Sequence, residues 1–403
     1  MKILMICDFF APGLSYQENM LAKYYLRAGH QVVIITSQYT SVFEFINEGK
    51  QDIRSGLVNE KDGLKLYRQP YRINLLNRIR SFSGVAEIIN AELPDVLFMH
   101  DISPNLFDMV RYKKKTNIPL LLDYHADYSN SGANFLSLKI LHGVIRKAIL
   151  SFALPHVDRI FPVVPASSEF LHEIYGVPLH RLELLPLGFD VDAQKAVSDN
   201  TDRDVLRQAL GVRPQDILIF TGGKFHPYKQ TEKLLQVLAE LDAPNLHLVI
   251  IGSDQKNGSE YGALISEMAN TTPRTLMTGW LSTEETYQYM LMSDIAVFPG
   301  SQSVLWQQCI GMHLPLILGR KITEASKPQD VNYLNREDNI MILDPAKPVE
   351  EELRRCILAF INDDELRQRM AAGARKVSDD YLGWDKIALM TLDRISASGE
   401  KKL

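Results

Sequence analysis

The chain reads as two consecutive α/β domains, each built on a parallel sheet. Three observations predict this. Its 403 residues exceed one ordinary domain, at roughly 100–200 residues per domain. Short unbroken apolar runs alternate with amphipathic stretches, which is the pattern of strands buried on both faces and of their crossover helices. The alternation lapses once, in a polar stretch near residue 200, and then restarts. Composition agrees, since 46% hydrophobic and 23% charged residues supply apolar mass for two cores at an ordinary globular charge.

The elements follow in order. Ile3–Cys7 is a strand, and a turn-rich segment follows it with Pro12-Gly13 inside. Met20, Leu21, Tyr24, Tyr25 and Leu26 then recur at helical spacing, and Gly29 closes that helix. Val32–Thr36 completes a βαβ unit. Val96–Met99 is a strand ending at His100-Asp101, and Leu120–Leu122 is one ending at Asp123-Tyr124-His125. Ile160–Val164 precedes a helix over Ser167–Tyr175, and Leu182–Leu185 is a strand leading to Gly188-Phe189-Asp190. Residues 192–204 are polar and read as the linker, with a short entry helix after it.

The second domain repeats the rhythm, with strands at Ile217–Phe220, Leu246–Ile251, Thr275–Thr278, Ile295–Phe298 and Leu316–Leu318. Helices are expected over Thr231–Leu241, Glu284–Met292, Glu350–Ile361 and nearly all of Asp363–Ile395. The expected domains are 1–192 and 193–383, with a final helix of about 384–403 packing back on the first.

Several function classes are excluded. Cys7, Cys309 and Cys356 form no C-x-x-C pair, so neither a disulfide framework nor a zinc ribbon is expected. The first apolar run is too short for a signal peptide, and no run approaches the roughly 18 apolar residues of a spanning helix. A cytoplasmic location is the expectation. The net charge of -5 gives no polyelectrolyte signal, so no nucleic-acid partner is expected. Basic residues do cluster locally, at Lys65, Arg68, Arg72, Arg78 and Arg80, then at Arg111, Lys113, Lys114 and Lys115.

Ligands of open parallel sheets bind at the carboxyl ends of the strands. That rule selects Asp8, His100, Asp101, His125, Asp190, Asp254 and the loops 222–229 and 299–304. Two such sheets facing each other would share one cleft. Gly222 and Gly223 let the backbone approach a ligand, and Lys224 and Lys229 offer compact cations for a diphosphate. The same loop is equally readable as a surface turn with solvated lysines. It is neither a G-K-[ST] phosphate loop nor a G-x-G-x-x-G fingerprint. In Pro299–Gly311, Ser301 or Ser303 could cap a helix whose first amides reach a phosphate, or the segment is an ordinary capped helix. His125 stands in D-Y-H-A-D, and His100-Asp101 is a weaker instance of the same pattern. No H-E-x-x-H, G-x-S-x-G or catalytic-cysteine context is present, so metal and acyl-enzyme chemistry have no support.

In their order these residues resemble the GT-B-fold retaining glycosyltransferases of family 4, the "glycosyl transferases group 1" class. D-F-F-A-P-G-L-S-Y-Q-E followed by L-A-K-Y-Y-L-R-A-G-H-Q-V-V-I-I-T-S is similar to the family's P-x-x-G-G-x-E and L-A-x-x-L-x-x-x-G-H-x-V-x-V-x-T. P-D-V-L-F-M-H-D, D-Y-H-A-D and L-L-P-L-G-F-D resemble D-V-x-H-x-H, T-x-H-D and V-I-P-N-G-V-D. F-T-G-G-K-F-H-P-Y-K-Q resembles G-R-L-x-x-x-K-G, and Y-L-G-W-D-K-I resembles F-S-W-x-x-x-A.

The resemblance implies two Rossmann-like domains facing across a cleft. It implies sugar transfer from a nucleotide-diphosphate sugar with retained configuration, without metal or further cofactor. By the same resemblance Lys224 and Lys229 hold the donor diphosphate, Gly13 and Leu14 lie beneath it, and His125 meets the transferred sugar. Ser303, Val304 and Leu305 supply amides to the pyrophosphate, and Gly222 and Gly223 complete the donor loop. His100, Asp101 and Asp190, chosen as strand-end residues, are expected to face the acceptor or cleft. The leaving diphosphate takes the acceptor proton.

The chain also departs from the pattern. The family's Glu-(seven residues)-Glu motif belongs near 300–308, yet no acid lies between Asp294 and Glu324. Gln308, or Gln307 with another gap placement, stands for the second glutamate. An amide oxygen accepts a hydrogen bond without charge. Lysine replaces the arginine of the cation pair, and Leu14 replaces a glycine. Within 132–153, Phe135, Leu136, Leu138, Leu141, Val144, Ile145, Ile149 and Phe152 interleave with Lys139, Arg146 and Lys147. This is either an amphipathic contact with anionic membrane or a helix packed on its own sheet. The expectation is a glycosyltransferase acting on a glycan or lipid-linked acceptor in bacterial surface polysaccharide or glycolipid synthesis. A nucleotide-sugar 2-epimerase and a non-catalytic sugar-binding relative are the alternatives.

Overall fold

The computed structural model describes residues 1–47, 55–128, 131, 137–241, 243–253, 259–320 and 329–399. Asp254, Phe135 and Leu136 lie outside the described residues. Contacts divide the chain into two units, Met1–Pro186 with Ile387–Leu403, and Leu187–Lys386.

The first unit carries nine strands among its described residues. They are β1 (Lys2–Ile6), β2 (Gln31–Ser37), β3 (Gly56–Lys61), β4 (Leu64–Gln69), β5 (Tyr71–Leu75), β6 (Ile79–Phe82), β7 (Val96–His100), β8 (Leu120–Tyr124) and β9 (Arg159–Pro162). Seven form one sheet in the order β3-β4-β2-β1-β7-β8-β9, parallel throughout except for β3 against β4. β5 and β6 form a separate antiparallel hairpin. The strand order reverses between β1 and β7, which makes their carboxyl ends the switch point where ligands settle. Leu4, Ile6, Leu97, Met99, Leu120 and Leu122 point to one face and are buried against helices Val85–Glu92 and Leu106–Thr116. The last helix, Trp384–Gly399, is tied to this sheet by Arg159, whose Nη1 donates to the carbonyls of Met390 (2.8 Å) and Thr391 (2.9 Å).

The second unit has one all-parallel sheet. Its strands are β10 (Ile217–Gly222), β11 (Leu246–Ile251), β12 (Thr275–Gly279), β13 (Ile295–Phe298), β14 (Leu316–Leu318) and β15 (Ile340–Ile342). Their order is β12-β11-β10-β13-β14-β15, the doubly wound 3-2-1-4-5-6 arrangement, with its switch point between β10 and β13. Alternate residues feed two cores. Phe220, Val249, Phe298 and Leu318 pack on Trp306, Cys309 and Ile310, while Ile219, Ile250, Val297 and Ile317 pack on Leu234, Leu238 and Ile357. Each such burial stabilises the unit by about 1.5–3 kcal/mol before entropy is counted.

Three expectations about elements need correction. The polar stretch 192–204 is not an open linker. It forms helices Val191–Asn200 and Arg203–Ala209, whose first amides are capped by Asp190 and Asp202. Their polar composition hid the short apolar face, although both capping aspartates were legible. Leu182–Leu185 runs along β9 without forming a full strand: Leu182 makes an isolated parallel bridge to Ile160, and the amides of Glu183 and Leu185 donate to Ile160 O (3.0 Å) and Pro162 O (2.9 Å). The strands β3 to β6 and β15 were not anticipated, since β3 and β5 are largely exposed and β15 spans three residues. The described part of 132–153 is a π-helix over Ser137–Arg146 running into an α-helix over Lys147–Ala153. No helix among the described residues is long and apolar enough to cross a membrane.

Candidate functional site

In the second unit, a cavity of about 400 Å³ opens at the switch point between β10 and β13. It is lined by Gly223, Lys224 and Lys229 from one loop, by Gln302, Ser303, Val304, Leu305 and Gln308 from the other, and by Trp280, Thr283 and Thr286 from beyond β12. That volume lies in the range of small-molecule and cofactor sites.

Glycine at these positions is dictated by backbone contact. A Cβ on Gly222 would meet the Ile251 carbonyl oxygen at 2.6 Å, and one on Gly300 would meet the Tyr228 carbonyl oxygen at 2.1 Å. The two loops can therefore lie against each other, and the Ser301 amide donates to Tyr228 O at 2.7 Å. Lys229 joins the same seam, its Nζ donating to the carbonyl oxygens of Ser301 (3.1 Å) and Gln302. Burial pushes the Lys229 ammonium down to about 8. Lys224 is exposed at the cavity edge.

Val304 is the N-cap of helix Leu305–Gly311 and makes no side-chain cap bond, while Ser303 Oγ, one residue earlier, accepts from the Leu305 amide at 3.3 Å. The two glutamines separate. Gln308 lines the cavity, whereas Gln307 is 1% exposed and its Nε2 donates to the Tyr333 hydroxyl at 3.4 Å. Asp190 belongs to this unit and serves as a helix cap, its Oδ1 accepting from the amides of Asp192 (3.1 Å) and Ala193 (3.4 Å). One carboxylate oxygen of Asp190 is thus occupied by the helix it begins.

In the first unit, the switch point between β1 and β7 gathers ionisable groups. Ala11–Leu14 is a turn closed by Leu14 N to Ala11 O at 3.2 Å, with Gly13 at φ +90° after Pro12, the position a type II turn reserves for glycine. Leu14 is half-buried. Arg80 pairs with Asp8 and lies over the rings of Phe9 and Phe45, and Arg146 pairs with Asp101 at 3.1 Å. Burial raises the Asp8 carboxyl, with Arg80 opposing. Burial also resists ionisation of Asp101, but Arg146 and the Ile102 amide hold that carboxyl below its usual range.

Asp123 is fully buried in β8. Its Oδ2 accepts from His100 Nδ1 (3.0 Å) and Gln17 Nε2 (3.1 Å), and its Oδ1 accepts from the Asp101 amide (3.2 Å). His125 Nε2 lies 3.9 Å from the same Oδ2, and the rings of His100 and His125 are 4.6 Å apart. Burial alone would lower the His100 imidazole, yet Asp123, and Glu18 at 3.8 Å, overcome it and hold it up to about 10. The donor atoms of His100, Asp123 and His125 lie within 4.8 Å of one another, the spacing of a possible cation site. Asp123 Oδ2 already accepts two N–H groups there.

The structure thus gathers Gly222, Gly223, Lys224, Lys229, Ser303, Val304, Leu305 and Gln308 at one switch point, and His100, Asp101 and His125 at the other, with Gly13 and Leu14 on the turn before helix Gln17–Arg27. Sequence reasoning missed Asp123 as a hub, and missed Trp280, Thr283 and Thr286. An aromatic directly after the Gly279 strand end was the available signal for Trp280.

Residues 18–193 match the Glycosyltransferase Family 4 family, and residues 202–305 match Glycosyl transferases group 1. The D-inositol 3-phosphate glycosyltransferase of Xylanimonas cellulosilytica is 25% identical over 236 residues, 56% of this chain and 54% of that protein. Its namesake from Rhodococcus erythropolis is 25% identical over 128 residues, 31% of this chain and 28% of that one. The chain spans about half the length, or less, of these curated relatives.

Among solved structures, Anabaena HepE in complex with UDP superposes at TM-score 0.71 with 14% identity, over 98% of this chain and 100% of that one. A glycosyltransferase from Rickettsia africae does so at 0.70 with 15% identity, over 100% and 99%. A putative UDP-N-acetylglucosamine 2-epimerase from Listeria monocytogenes reaches 0.57 with 14% identity, over 100% and 97%, so the fold alone does not separate the two chemistries. The two glycosyltransferase matches follow each other in chain order, one in each doubly wound unit, and the protein belongs to the GT-B glycosyltransferase class.

Proposed function

We propose that this protein transfers a sugar from a nucleotide-diphosphate sugar to a glycan or lipid-linked acceptor, with retention of anomeric configuration. The observation that carries the reading is the second unit's cavity, where two interlocked loops bring Gly223, Lys224 and Lys229 to a doubly wound switch point. The UDP in the HepE structure supports a nucleotide donor. Lys224 and Lys229 bind the diphosphate, and Lys229 exchanges its carbonyl partners for phosphate oxygens. The amides of Ser303 and Val304 add to that grip, joined by that of Leu305 once it leaves Ser303 Oγ, and Gln308 accepts from the ribose. Gly13 and Leu14 lie beneath the donor, and His125 hydrogen-bonds the transferred sugar.

The bond from the anomeric carbon to the phosphate oxygen breaks, and the bond to the acceptor oxygen forms on the same face. The acceptor proton passes to the leaving diphosphate. No protein nucleophile, metal or further cofactor is required. Fixed amides and lysines stabilise the charge that develops on the leaving group, because they are oriented before the reaction begins. His100 and Asp101 stand on the acceptor side. The curated relatives named for inositol 3-phosphate make a phosphorylated polyol the first acceptor to try.

We place this activity in the cytoplasm, in bacterial surface polysaccharide or glycolipid synthesis, with peripheral contact to anionic membrane. Support for that contact comes from helix Ser137–Ala153, where Ile140, Val144, Ala148 and Phe152 are exposed at a spacing of four.

The test incubates the protein with nucleotide sugars and EDTA, with and without acceptors. Release of nucleoside diphosphate, stimulated by an acceptor, is expected. Conversion of the donor to an epimer without nucleotide release would establish the epimerase instead. Binding without turnover across donors and acceptors would leave a non-catalytic relative and end the transferase reading.

A further inference from the structure

We propose that Asp123 is the positioning residue of the first unit's site, one buried carboxylate that locks His100, His125 and the start of helix Gln17–Arg27 into a single constellation. The proposal rests on the reading of His125 as the group that meets the transferred sugar.

Three segments far apart in sequence converge on this side chain. Gln17 reaches it from the helix that follows the Pro12-Gly13 turn, and His100 and the Asp101 amide reach it from the end of β7. His125, two residues on, leaves the same strand end with its Nε2 at 3.9 Å. A neutral side chain of this size could accept from some of these donors but could not hold an imidazolium. Where the related loop T-x-H-D begins with threonine, this chain places a carboxylate.

His100 is the second half of the device. Its Nδ1 faces Asp123, and its Nε2 faces Glu18 at 3.8 Å. Asp101 and Asp8 also act nearby, with Asp101 paired to Arg146 and Asp8 to Arg80. Set between two carboxylates, the ring keeps its proton through neutral pH. Held between Asp123 and Glu18, it is poorly placed to act as a proton acceptor. It stands instead as a fixed cation against the His125 ring, 4.6 Å away. Removing the Asp123 charge should release His100 first, then the orientation of His125 and the Gln17 end of the loop.

The test uses the full chain carrying Asp123→Asn, which keeps the volume and removes the charge. Histidine side-chain NMR should show His100 as an imidazolium beyond pH 8 in the wild type and titrating at least one pH unit lower in the variant. Steady-state kinetics should show kcat reduced 10- to 100-fold with donor KM within twofold, and Asp123→Glu should recover part of the loss. If Asp123→Asn does not fold, His100→Gln is measured for the same kcat-only loss.

Wild-type kcat in either variant overturns the proposal, whatever the spectrum shows. Stoichiometric Zn2+ binding that disappears in Asp123→Asn would also overturn it, in favour of a metal centre. His125→Ala separates the two layers. Full activity in that variant removes the sugar-contact role of His125, while the His100 titration still reports on the Asp123 geometry.

Discussion

Lys229 has two sets of partners to choose between. In the structure its ammonium donates to the Ser301 and Gln302 carbonyls, and burial holds it down to about 8. A diphosphate would favour the charged form. Donor affinity should therefore be complete below pH 8 and fall as pH rises through that value, by at most about tenfold per unit. Calorimetric titration of nucleoside diphosphate from pH 7 to 9.5 measures this. Lys229→Ala should flatten the profile and weaken binding roughly tenfold or more, as a charge-assisted hydrogen bond is worth about 1.5–3 kcal/mol. An unchanged affinity in that variant would remove Lys229 from the donor site. The adjacent glutamines give a paired prediction. Gln308→Glu places a charged acceptor on the cavity wall and should tighten donor binding about fivefold, or roughly 1 kcal/mol. Gln307→Glu puts a carboxylate at 1% exposure beside Tyr333. It should lower the melting temperature through the cost of burying a charge. Equal effects of the two changes on binding and melting would contradict the division between them.

Among the elements, helix Ser137–Ala153 departs furthest from the usual surface helix. Such a helix normally turns its charged face to water. Here Ile140 (48% exposed), Val144 (61%) and Phe152 (46%) face outward, and Lys114 lies over the Phe152 ring. The β5–β6 hairpin adds Leu75 and Leu76 at its tip, with Arg72 and Arg78 exposed beside them. Apolar groups ringed by cations suit an anionic lipid surface. Val144→Asp with Phe152→Asp should abolish co-flotation with vesicles containing phosphatidylglycerol while leaving donor binding intact. Flotation with purely zwitterionic vesicles should be weak for all forms. Wild-type protein that fails to float with anionic vesicles refutes the contact.

At the scale of the whole molecule, two doubly wound sheets each reverse their strand order once, and each reversal coincides with a cluster of polar residues. Much of this was legible in sequence. Strands such as β1, β8, β11 and β13 are short apolar runs buried on both faces, and a run of that kind announces itself without reference to its partners. The loops at their ends, including Gly222–Lys229 and Pro299–Val304, followed from the same register. The helices at 191–209 were less legible, because their caps were visible but their buried face reduces to single residues such as Val197 and Arg207.

Local periodicity therefore determined the α/β class, the strands and the two sets of strand ends that bear chemistry. Tertiary structure alone decided what those ends do. It turned Gln308 to the cavity and Gln307 to the core, gave Lys229 two carbonyl partners, and exposed the apolar side of helix Ser137–Ala153. It also brought Gln17, His100 and His125 around Asp123 across more than a hundred residues of chain. The reason is physical. Burial on a strand or helix is a property of neighbouring residues, whereas a hydrogen bond or a pKa shift belongs to groups that meet only after the chain has folded.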